Sequence, residues 1–395
     1  MHKILGLFFL MILLSTLHAD ELFIVGQDGD SMSGSADLWL GPSSSNLSQN
    51  KIQLAGMGIA DGIVLSSSYA YIVGQDGSSS GSAVLWIRNL DGSLAYDEIQ
   101  LTSSGVANGV ALSSSHVYVV GQDSSGSQPA ALWIRNLDGT LAYNEIQLAE
   151  AGIAYNVAIS SNFVYIVGID SGSSTPLAAL WIRNLDGSLA YDEVLLTVDM
   201  STANDVALFS NYVYIVGQDE SSNQPATLWI RNLDGTLAYD EIQLTSGSSG
   251  GVAYEIAISA NRIYTVGLDY HDNSDSNPAV ASLWITDIYG SLQHETSLVS
   301  GEGIYGGTAY CIALSSNQAY IGGLNNSESA CFWVVDFDGT IIQDESALTL
   351  GTGIASGIAL RSTSIHRDLY DMERLKPIYD IKFEEMKNIY SIDKD

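Results

Sequence analysis

The sequence is poor in positive charge. Its 395 residues carry 14 Lys and Arg against 45 Asp and Glu, a formal net charge of −31 at neutral pH. Such a surface repels phosphate backbones and anionic lipid, which excludes nucleic acid and anionic membranes as partners and leaves cations and basic proteins. A plainer reading of the same acidity is that it keeps a β-rich protein soluble and its strand edges apart.

Cysteine is almost missing, with only Cys311 and Cys331 present. The repeat described below puts them on the first and third strands of one unit, roughly 9 to 10 Å apart and beyond disulfide reach. Two separate thiols are expected, and no staple. Long apolar runs are equally scarce: the single one, "ILGLFFLMILL" behind Lys3, ends in "STLHA" at Ala19. That is the layout of a secretory signal peptide over residues 1–19, and it is too short to span a bilayer comfortably. An exported protein without a membrane span is expected, whether periplasmic, secreted or at the cell surface. Catalytic signatures are missing as well: there is no Ser/His/Asp nucleophile elbow, no phosphate loop and no Cys/His zinc spacing.

What the sequence does contain is a repeat. All seven tryptophans hold one repeat position, Trp39, Trp86, Trp133, Trp181, Trp229, Trp284 and Trp333, at separations of 47, 47, 48, 48, 55 and 49 residues. Each unit divides into four short runs of strand character, for example "GVALSS" (109–114), "VYVVGQD" (117–123), "ALWIRNL" (131–137) and "LAYNEIQL" (141–148). Val, Ile, Tyr and Trp fill the runs, and Gly, Ser, Asn and Asp separate them. Asp-Gly pairs such as Asp91-Gly92 and Asp138-Gly139 mark a hairpin between the third and fourth runs, read as a two-residue turn with both residues at positive φ. The second and third runs are apolar throughout, as in sheets covered on both faces.

The period and the pattern predict an all-β fold, a seven-bladed β-propeller of four-stranded antiparallel blades over residues 20–362. "LFIVGQD" (22–28) is a second strand with no first strand before it, and "GIALRS" (357–362) is a first strand with nothing after it. Their pairing would close the ring. Residues 363–395 change register, with few glycines and two amphipathic pieces divided by Pro377, and are read as a helical docking segment or a disordered tail.

The run "YIVGQD…ALWIRNLDGSLAYDEIQL…GVANGVALSS" resembles the exported bacterial β-propeller repeats of the SBBP and delta-60 type, over about residues 21–362. Those repeats join a "V-Y-V-A-G" strand to an "N-x-D-G-S-L" hairpin. The resemblance implies an extracellular or cell-surface propeller without an assigned catalytic motif. The WD40 and kelch marks are absent.

Seven copies allow the sequence to be compared with itself. Positions shared by all blades are read as scaffold: the tryptophans as wedges between blades, and the alanine ahead of each first strand (Ala60, Ala107, Ala154, Ala203, Ala253, Ala309, Ala355) as a close-packing position. Arg88, Arg183 and Arg231 are expected to pair across the hairpin with Asp97, Asp192 and Asp240. The "GQD" aspartates, Asp28 and Asp269 among them, are read either as turn caps or as a cation-attracting crown.

Function is expected where the copies differ, just after the constant alanine. Asp61, Asn108, Tyr155, Asn204 with Asp205, Tyr254 with Glu255, and Tyr310 should ring the mouth of the central channel. The long loop of the sixth blade adds Asp269, His271, Asp272 and Asp275. No cofactor is expected, although "DGDSMSG" with Asp28 and Asp30, and the pair Asp269 and Asp275, are weak calcium candidates. The favoured reading is a monomeric binding module for a protein or glycan. The alternatives are a carbohydrate lyase or hydrolase using acids such as Asp205 and Glu255 with tyrosines, and a structural surface protein.

Overall fold

The computed structural model describes residues 20–361, apart from 31–32, 78–80, 173–174, 221–223, 246–249, 260, 271–278 and 300–305. The leader (1–19) and the tail (363–395) lie outside the described residues. Residues 22–361 form one compact unit of seven four-stranded antiparallel sheets. It is a seven-bladed β-propeller. Among the described residues no helix is long and apolar enough to cross a membrane.

Blade 1 is assembled from both ends of the chain, in the order β28 (Gly353–Arg361), β1 (Glu21–Asp28), β2 (Ser35–Pro42), β3 (Lys51–Ala55). The clasp anticipated from the orphan strands is therefore present. Blade 2 follows with β4 (Gly58–Leu65), β5 (Tyr69–Asp76), β6 (Ser82–Asn89) and β7 (Ile99–Gln100), and blade 3 with β8 (Gly105–Leu112), β9 (His116–Asp123), β10 (Ala130–Asn136) and β11 (Ile146–Ala149). Blade 4 comprises β12 (Gly152–Ile159), β13 (Phe163–Asp170), β14 (Leu177–Asn184) and β15 (Leu189–Leu195); blade 5, β16 (Ser201–Phe209), β17 (Tyr212–Asp219), β18 (Ala226–Asn232) and β19 (Ile242–Gln243). Blade 6 is β20 (Gly251–Ser259), β21 (Arg262–Asp269), β22 (Val280–Asp287) and β23 (Leu292–Ser297); blade 7 is β24 (Thr308–Leu314), β25 (Gln318–Leu324), β26 (Ala330–Asp336) and β27 (Ile341–Ala347).

The core lies between blades. Each tryptophan packs on the preceding blade: Trp133 meets Leu85 and Ile87 of blade 2, and Trp39 of blade 1 meets Phe332 and Val334 of blade 7. All seven are nearly inaccessible to solvent. Hydroxyls reinforce the same seams, as where Tyr71 donates to the Leu137 carbonyl at 3.0 Å and Tyr118 to that of Leu185 at 2.9 Å. Cys311 and Cys331 are separate buried thiols, as their strand positions require.

Three expectations need correction. The first strands begin several residues early, so the constant alanines lie inside them, for example Ala107 within β8. The Asp-Gly hairpin has a three-residue loop: Gly92 donates to the Asn89 carbonyl and only Gly92, at φ +82°, is left-handed. Its Asp91 carboxylate caps the turn by accepting the Ser93 N–H at 2.9 Å. Beyond the turn the fourth strand slips, because the Ile87 carbonyl accepts the N–H of both Ala95 and Tyr96. Leu85 then faces Ile99, which brings Glu98 opposite Trp86 in the place expected for Asp97.

The expected Arg to Asp brace is thus replaced by a Trp, Glu and Arg cluster. The Trp86 indole N–H donates to Glu98 Oε2 at 2.7 Å, Trp133 to Glu145 at 2.7 Å and Trp229 to Glu241 at 2.9 Å. Arg88, Arg183 and Arg231 feel the charges of Glu98, Glu193 and Glu241 and not those of Asp97, Asp192 and Asp240. The slip also delays pairing, so the fourth strands of blades 2, 3 and 5 are much shorter than the runs that suggested them.

The "VGQD" signature is explained by crowding near the axis. In blades 2 to 7 the first strand carries a bulge after the constant alanine, and in all seven blades the carbonyl of the residue before that alanine lies against the glycine of the second strand. A methyl group at Gly121 would stand 2.0 Å from the Val106 carbonyl oxygen, and one at Gly26 would stand 1.8 Å from that of Ile354. Backbone occupies the space that a side chain would need. Gly121→Ala should therefore lower stability by about 3 kcal/mol or more. Gly351→Ala, with nothing within 4 Å of the added methyl, should stay within about 0.5 kcal/mol of the parent. Thermal melts of the two variants side by side check this; equal melting temperatures would contradict it.

Candidate functional site

The bulge also decides which side chains reach the axis. It inserts one extra residue between Ala60 and Gly62, Ala107 and Gly109, Ala154 and Asn156, Ala203 and Asp205, Ala253 and Glu255, and Ala309 and Cys311. The inserted residues, Asp61, Asn108, Tyr155, Asn204, Tyr254 and Tyr310, join Ser356 of β28 in lining a central cavity of about 610 Å³. This is the set singled out by comparing repeats. The structure places it within the first strands, inside the channel, and gathers it in one wall-to-wall ring.

The residue after the insertion turns toward the next blade. In blades 1 to 3 this position is glycine, and a methyl at Gly62 would lie 2.8 Å from the Asn108 carbonyl oxygen. Elsewhere side chains bridge the seam. Asp205 Oδ2 accepts the Ile256 N–H at 2.8 Å while its Oδ1 accepts the Val206 N–H at 2.7 Å, and Glu255 Oε2 accepts the Ile312 N–H at 2.9 Å. The Cys311 thiol points at the Ala355 carbonyl, 3.7 Å away. Asn108 and Asn204 make similar links to the carbonyls of Ala154 and Ala253 at 2.9 and 2.8 Å. These bonds satisfy backbone groups that the bulges release from the sheets.

Electrostatics follow from enclosure. Desolvation raises Asp205 to about 7 against the pull of its two backbone donors. Glu255 is pushed well up by burial and by the Asp205 charge beside it, with the Ile312 N–H opposing. Asp61 is raised to about 7 by desolvation alone, and among the described residues no donor lies within hydrogen-bond reach of it. Burial likewise raises Tyr155, Tyr254 and Tyr310. The rings of Tyr254 and Tyr310 stand 4.9 Å apart at 52°.

The remaining candidates fall elsewhere. His271, Asp272 and Asp275 lie outside the described residues. Asp28 forms an ion pair with Lys51 at 2.6 Å, and Lys51 also approaches Asp37 at 3.6 Å. Asp30 accepts the N–H and hydroxyl of Ser33, at 2.8 and 2.9 Å, and so closes its own turn. Asp269 is buried at the end of β21. Asp123 and Asp170 act as turn caps, accepting the N–H of Ser125 and Gly172. Among the described residues no three His, Cys, Asp or Glu side chains are grouped to hold a metal ion.

Asn156, which the comparison of repeats places beside Tyr155 in the channel ring, is a cavity residue in the structure. It follows the inserted Tyr155, lines the channel and hydrogen-bonds toward Asp205. Blade 4 departs there from the glycine of blades 2 and 3.

No family model and no curated protein matches the chain. Solved structures do. A periplasmic gluconolactonase from Pseudomonas aeruginosa superposes with a TM-score of 0.57 at 13% identity, covering 87% of this chain and 99% of that one. A prolyl endopeptidase structure gives 0.51 at 15% identity, covering 87% of this chain and 49% of the other. The apo form of AztD from Citrobacter koseri matches at a TM-score of 0.47 and 11% identity, covering 87% of this chain and 99% of that one. The likeness is one of fold.

Asp61 and Asp205 yield opposite predictions for stability. A carboxyl raised from 3.8 to about 7 on folding binds a proton that the unfolded chain has released, so its contribution falls as pH rises from about 4 to about 7. Asp61→Asn removes that penalty, and its gain in melting temperature should be larger at pH 8 than at pH 5. Asp205→Ala leaves two buried N–H groups unpaired and should cost about 1–3 kcal/mol at pH 5, and less at pH 8, because this carboxyl too is raised to about 7 and its contribution falls with pH. Melting curves of both variants at the two pH values check these signs.

Proposed function

We propose that this protein is an exported, monomeric binding propeller that takes its ligand, a glycan or a protein segment, into the central channel. The observation that carries the reading is the contrast between scaffold and ring. Positions repeated in every blade are buried in the seams, whereas the inserted residue of each bulge varies among the blades and faces one central cavity of about 610 Å³. That volume suits a small ligand or a single extended side chain. Tyrosines, asparagines and carboxylates together supply stacking surface and hydrogen bonds. A purely structural protein has no need of such variety at its axis.

The hydrolase alternative is less well supported. Asp205 and Glu255 engage backbone N–H groups of the next blade, which makes them brackets across the seam. Export rests on the leader-like residues 1–19, and the periplasmic gluconolactonase among the structural neighbours is compatible with it.

Binding should be read on an array of glycans and surface proteins, comparing the parent with Tyr155→Ala, Tyr254→Ala and Tyr310→Ala. Each variant is expected to fold and to lose affinity at least tenfold for any ligand the parent captures. Undiminished binding by all three would place the site outside the channel.

A further inference from the structure

Among the described residues Asp61 has the one channel carboxylate that no donor holds. At its level the adjoining strands present Ser356 on β28 and Asn108 on β8, followed by Gly357 and Gly109, so neither neighbour brings a charge to it. Behind it, β5 offers Val73 opposite Gly62. The ionisable groups of the other elements packed on β4 lie elsewhere: Tyr71 on β5 reaches the Leu137 carbonyl of blade 3, Asp76 stands beside Glu98 of its own blade, and Asp37 on β2 is tied to Ser35 and Lys51. Ile59, Ile63, Ile354 and Ile358 line the same cavity and limit the carboxyl's contact with water. Among the described residues the other ionisable groups in the cavity are Tyr155, Asp205, Tyr254, Glu255 and Tyr310, and no Lys, Arg or His lines it.

An enclosed carboxyl of this kind lacks a positive partner, and the cavity walls contain none. A void of this size is only about 10 Å across, so a ligand on Asp61 also lies within reach of the tyrosines of blades 6 and 7. Aromatic faces attract cations. The net charge of −31 draws cations to the molecule as a whole.

Resting on the reading of the channel as the binding site, we propose that it recognises a primary alkylammonium group, with Asp61 pairing its charge and Tyr254 and Tyr310 packing on its carbon chain. Two sources carry that chemistry, a free polyamine and the side chain of a lysine. Below pH 7 the ammonium must displace a proton from Asp61, since burial raises that carboxyl to about 7. Affinity therefore rises by up to about tenfold per pH unit below that point and levels off above it.

Isothermal titration of the full chain with spermidine, with N-acetyl-lysine methylamide and with maltose, at pH 6, 7 and 8, tests the proposal. At least one amine should bind, about tenfold more tightly at pH 8 than at pH 6 with about half of that gain reached by pH 7, and with proton release visible as a dependence of the heat on buffer. Whichever amine binds identifies the source. Asp61→Asn, which the structure expects to fold, should weaken the amine at least tenfold and abolish the pH dependence, a result that separates Asp61 from Asp205. Failure of both amines, or binding unchanged in Asp61→Asn, overturns the proposal. Binding of maltose alone, lost in Tyr254→Ala, would overturn it while leaving the channel as the binding site.

Discussion

The crossing of each first-strand bulge over the glycine of the second strand is the contact on which the rest of the molecule depends. Within each blade it brings the first strand's backbone so close to the second that a methyl at Gly121 would stand 2.0 Å from the Val106 carbonyl oxygen. It also rotates the chain so that one inserted residue per blade faces the channel and the next faces the neighbouring blade. Scaffold and site are therefore consequences of one local irregularity. A regular strand would have sent both residues to alternate faces of the sheet.

Stability is distributed around the ring. Seven apolar clusters lie in seven seams, and none belongs to a single blade. With two separate buried thiols, closure falls to the pairing of β28 with β1 and to the packing of Trp39 on blade 7. The Trp, Glu and Arg clusters stiffen the outer parts of the middle blades. Asp205, Glu255 and Asn204 do the same work near the axis, where released backbone groups need partners.

Much of this was legible from residues alone. Tryptophans at intervals of 47 to 55 residues, apolar second and third runs and the orphan strands at the two ends lead to seven blades and a clasp. The channel ring was legible too, because seven copies show which positions are free to vary. The hairpin was misread because an Asp-Gly pair fits several turns. Its loop of three residues and the slip at Ile87 depend on twist and packing, and they exchange Asp97 for Glu98 opposite Trp86.

The sequence by itself determined the blade count, the strand order and the identity of the wedges, since each follows from a local pattern repeated at a fixed period. Only the tertiary structure decided what the channel acids do. Asp61, Asp205 and Glu255 look alike as letters, yet two of them accept backbone N–H groups of the next blade and the third faces the cavity with no donor. The difference arises because a carboxyl's role depends on which donors the neighbouring chain brings within about 3 Å, and those neighbours stand about 50 residues away along the chain.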